Sequence, residues 1–82
     1  MTKDEFYDKM FDYLYDTIEL TLTDGKKVIG RLRNIDHRGD NDDVPGYENI
    51  ALYHITLPNG DRDSYTEDEV VGVCLVERWA NK

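Results

Sequence analysis

The side chains of this sequence best able to do chemistry are two histidines, His37 and His54, one cysteine, Cys74, and a surplus of carboxylates. Proton transfer and covalent catalysis need an imidazole or carboxylate held against a nucleophile. No serine or cysteine stands in a recognisable nucleophile motif, and no glycine loop able to cradle phosphate is present, so the chain reads as a protein without a catalytic site. His54, inside Tyr53-His54-Ile55, reads as a side chain on a sheet face. Cys74 lies in the apolar run Val70-Val71-Gly72-Val73-Cys74-Leu75-Val76 and has no second cysteine for a disulfide or a thiolate zinc site. It reads as a buried thiol acting as a small hydrophobe.

The carboxylates Asp36, Asp40, Asp42, Asp43 and Glu48 have the hard oxygen chemistry that Ca²⁺ prefers, but they lack the EF-hand spacing. The expectation is a solvated acidic loop with no metal and no cofactor. Phosphate chemistry points elsewhere, to Lys26, Lys27, Arg31 and Arg33 in the most basic stretch of the chain. If Val28, Gly30 and Leu32 point inward, Arg31 and Arg33 share the outward face and become candidate phosphate contacts. The net charge of −8 opposes nonspecific nucleic-acid binding, so any such site has to be local. The same charge suits a basic protein partner.

These residues must be positioned by a small fold. With 82 residues, 39% of them hydrophobic, the chain can close one core, and residues 1–82 read as a single domain. Thr2 and Glu5 have capping-box spacing, and Phe6, Met10, Tyr13 and Leu14 form an apolar stripe, which predicts a helix over about 3–15 lying as a lid on the rest. Strict alternation over 17–23, the turn Asp24-Gly25 and a second strand over about 27–36 predict a hairpin. A loop over 37–48 leads to a third strand over about 49–57, and the turn Pro58-Asn59-Gly60-Asp61 leads to a fourth over about 62–66. Glu67-Asp68-Glu69 makes a single turn before a fifth strand over 70–77. The fold class is therefore mainly β: an N-terminal α-helix, then a strongly bent, five-stranded antiparallel barrel over about 17–77. The fourth and fifth strands are the expected edges. No signal peptide opens the sequence and no apolar run nears the ~20 residues of a membrane span, so the expected location is cytoplasmic and no membrane partner is expected.

Gly25-Lys26-Lys27-Val28-Ile29-Gly30-Arg31-Leu32 through Ile35-Asp36, followed by Asn49-Ile50-Ala51-Leu52, resembles the first motif of the Sm-like proteins, whose SH3-like barrel also follows an N-terminal helix. The resemblance covers roughly residues 3–77. It implies a non-enzymatic module that pairs edge strands between subunits into a homo-oligomer and holds an RNA base with Asp36, Asn49 and His37. Two departures stand out: the loop between Asp36 and Asn49 is longer than the family's turn, and Thr66 and Glu67 occupy the positions of the family's Arg-Gly pair. The alternative reading is a monomeric acidic adaptor, or nucleic-acid mimic, that binds a basic protein.

Overall fold

The computed structural model describes residues 2–80. Helix α1, Lys3–Asp12, starts at a complete capping box: the Thr2 hydroxyl accepts the Glu5 amide at 3.1 Å, and the Glu5 carboxylate accepts the Thr2 amide at 3.2 Å. It ends earlier than the apolar stripe predicts. Tyr15 adopts a left-handed conformation, with φ 74°, and its amide donates to the Leu32 carbonyl, while the Leu32 amide returns to the Asp16 carbonyl. Pairing with the neighbouring strand thus pulls the chain out of the helix, although Tyr13 and Leu14 still pack on the core.

Five antiparallel strands follow: β1 Thr17–Leu22, β2 Lys27–Asp36, β3 Leu52–Thr56, β4 Arg62–Thr66 and β5 Val70–Glu77. Their order is β4-β3-β2-β1-β5, so the protein is mainly β, with one N-terminal helix and a five-stranded antiparallel sheet. The ladder does not close into a barrel, because β4 and β5 are each paired on one side only. Phe6 and Met10 of α1 enter a core formed by Ile18, Leu20, Leu32, Ile35, Tyr53, Ile55 and Val70. No helix is long and apolar enough to cross a membrane among the described residues.

Strand β2 serves both halves of the sheet. Its register against β3 shifts between Leu32 and Asn34, and burial that alternates at Val28, Gly30 and Leu32 resumes at Ile35, not Asn34. Arg33 is the extra residue of a β-bulge, and it moves the core-facing positions from even-numbered to odd-numbered residues. At Gly30 the two strands approach so closely that a Cβ would collide with the Ile55 side chain and lie 2.8 Å from the Thr56 carbonyl oxygen.

Two further expectations need correction. The third strand begins at Leu52, not Asn49, because Asn49 is left-handed with φ 55° and the chain is still turning there. Cys74 is exposed: it pairs with Glu19 while Val73 pairs with Leu20, so alternation points the thiol away from the core, 3.7 Å from the Glu19 carboxylate. An apolar run on an edge strand has one face uncovered. Beyond β5, the buried Asp16 carboxylate accepts the Trp79 amide at 2.9 Å and pairs with Arg78, and the Trp79 ring packs edge-on against Tyr15.

Candidate functional site

The loop after β2 and the turn after β4 are joined by an ion pair. Glu67, almost completely buried, accepts two-pronged hydrogen bonds from Arg38 at 2.8–3.0 Å and one from the Ala51 amide at 3.2 Å. Arg38 also bonds Asp4 of α1 at 2.8 Å and lies over the Tyr7 ring, so one guanidinium ties helix, loop and turn together. The hydrogen bond to Glu67 raises the Arg38 guanidinium well above its ordinary value, and the chain holds a permanent cation there. Beneath this pair the Tyr53 hydroxyl is buried without a hydrogen-bond partner among the described residues. Burial, with the Glu67 charge added, pushes this phenol up and keeps it neutral. Glu67 stands where the resemblance would place part of the Arg-Gly pair, and an arginine from the opposite loop meets it.

The three residues assigned to a base by the resemblance do not converge. His37 stacks on Phe11 at 5.3 Å, and its Nδ1 lies 3.0 Å from the Tyr7 hydroxyl, so α1 already covers this ring. Asn49 is exposed, and its amide donates to Asp42 at 2.7 Å. Asp36 faces the outer side of the sheet and bonds His54 and Asn41. Loop carboxylates behave similarly: Asp40 accepts the His37 amide and Glu48 the Gly46 amide, so these acids close turns. No group of three or more His, Cys, Asp or Glu side chains could hold a metal among the described residues.

Nor do the four basic residues form one stripe. Lys26 and Arg31 are exposed, but Lys27 bonds Thr21 and pairs with Glu19. Arg33, expected beside Arg31, occupies the bulge and donates to the Ile55 carbonyl. The parity reversal at β2 is what separates them.

The bulge also builds an arrangement that sequence reasoning missed. Asn34, His54 and Ser64 are directly opposed across β2, β3 and β4, with Asp36 on the diagonal. His54 Nε2 lies 2.9 Å from Asp36 Oδ2, and His54 Nδ1 lies 2.6 Å from Ser64 Oγ. Asn41 donates to the same Asp36 oxygen at 3.2 Å. Partial burial pushes the Asp36 carboxyl up, but hydrogen bonds from His54 and Asn41 bring it below the ordinary carboxylate value. Asp36 is therefore an acceptor at neutral pH, which puts the hydrogen of a neutral His54 on Nε2 and leaves Nδ1 to accept the Ser64 hydroxyl. The available clue was compositional: Ser64 is the only serine of the chain.

No family model matches this chain, and no curated protein or solved structure matches it.

Proposed function

We propose that this chain is a cytoplasmic, non-enzymatic binding and assembly module of Sm-like kind that associates with copies of itself through β4 and β5. The observation that carries the proposal is the pair of one-sided edges, with Val71, Leu75 and Val76 exposed on β5 and Val71 at 61% of its full accessibility. The open edge of β5 beside exposed apolar side chains favours strand addition, and a head-to-tail contact of unlike edges gives a ring where its rotation closes. RNA contact through Asp36, His37 and Asn49 rests on the resemblance and requires these residues to exchange internal partners for a base. Light scattering at high micromolar concentration tests the assembly: a symmetric oligomer is expected, with Val76→Lys lowering its mass, whereas a strict monomer overturns the reading.

The net charge of −8 supports a second reading, a monomeric acidic adaptor or nucleic-acid mimic for a basic protein. Such binding weakens steeply with salt. Fluorescence anisotropy with short U-rich and A-rich RNAs at low salt separates the two, since the adaptor binds neither.

A further inference from the structure

We infer that Ser64 is a reactive acylation site, its hydroxyl activated by His54 and the imidazole positioned by Asp36, toward carboxylic esters with good leaving groups. The inference goes beyond the assembly reading and does not depend on it. The three side chains come from three adjacent strands and meet on the solvent face: Ser64 is exposed, and the side chains of His54 and Asp36 keep 19% and 27% of their accessibility. An ester can therefore reach Oγ without a conformational change.

The chain of hydrogen bonds has the polarity that a nucleophile needs. Asp36 accepts from Nε2, Nδ1 accepts from the serine hydroxyl, and the 2.6 Å separation places the base within transfer distance of the proton it must remove. Asn41 donates to the same carboxylate oxygen that faces Nε2, so Asp36 is itself oriented. Either imidazole nitrogen can serve as base, because positive charge gained at one nitrogen is shared across the ring and met by the carboxylate at the other.

The step balances as follows. Ser64 Oγ bonds to the acyl carbon, the bond from that carbon to the phenolate oxygen breaks, and the hydroxyl proton passes to His54 Nδ1 and then to solvent. The products are an acyl-serine, a phenolate and a proton. Turnover is not expected, because the Ser64 amide already donates to Asp63 at 3.0 Å and is not free to hold an oxyanion. The acyl group should remain on the protein.

The test uses the full chain and p-nitrophenyl acetate at mildly alkaline pH, with acetylated positions mapped by mass spectrometry over time. A label on serine reports Ser64 alone. In the folded protein Ser64 should be acetylated on the order of 100-fold faster than the same residue in the urea-unfolded chain, the lower range for general-base assistance. This comparison needs no variant and so is decisive even if variants misfold. His54→Gln should bring the rate to the unfolded level. Asp36→Asn should reduce it, because the imidazole loses the carboxylate that positions it, and Asp36→Glu, which keeps a carboxylate there, should recover part of the rate. Equal folded and unfolded rates, or acetyl groups on lysine and histidine only, overturn the assignment.

Discussion

Arg38 and Glu67 differ in what each loses when its partner is removed. Glu67 is 3% exposed and cannot turn to water, so Arg38→Met leaves a buried carboxylate uncompensated and should cost about 3 kcal/mol in urea unfolding. Glu67→Gln should cost less, because Arg38 keeps Asp4 and reaches solvent. The reverse order would show that Glu67 is wetter than its position implies. Asp36 supplies a second prediction. A carboxyl held lower in the folded than in the unfolded chain adds stability above its unfolded value, and that contribution is lost as pH falls through the folded one. Asp36→Asn should therefore flatten the acid limb of the stability curve below the ordinary carboxyl value of 3.8. Little of this was legible in the sequence. Arg38 and Glu67 are 29 positions apart and His54 and Ser64 are 10 apart, and only strand register, bulge included, brings them together.

At the scale of elements, legibility followed locality. The capping box, the Asp24-Gly25 turn and the alternation of β1 are short-range signals, and each element starts where they indicate. The helix end and the start of β3 depend on Tyr15 and Asn49: a left-handed tyrosine is favoured by no local pattern, whereas Asn49 is of a type that takes this conformation readily. Thr2→Ala should lower stability by about 1 kcal/mol by removing the cap. Gly30→Ala should cost about 1–3 kcal/mol, because the added Cβ meets the Thr56 carbonyl of β3 as well as the Ile55 side chain, and the backbone cannot simply swing aside. Thermal unfolding followed by far-UV circular dichroism checks both. Strand β4 also guards its own edge: the Ser64 amide donates to Asp63 and the Thr66 amide to Glu69, while the Glu67 amide faces β3 and bonds Ala51. A strand arriving at β4 must displace both carboxylates. The double variant Asp63→Ala, Glu69→Ala should accordingly associate more strongly than the parent chain, with a larger mass at equal concentration by light scattering.

For the molecule as a whole, a single residue shifts the numbering of the inward positions. β2 pairs with β1 over Lys27 to Arg31 and with β3 over Arg31 to Asp36, and Arg33 sits just beyond the hand-over. The two halves of the sheet therefore carry opposite parities, joined by one uncounted position. In genetic terms β2 contains a frame change: deleting Arg33 would restore unbroken alternation, with Leu32 inward, Asn34 outward and Ile35 inward, and leave every pair with β3 as it is. Polar substitutions at position 33 should be tolerated, and the chain lacking Arg33 should still fold to the same sheet, with far-UV circular dichroism like the parent's.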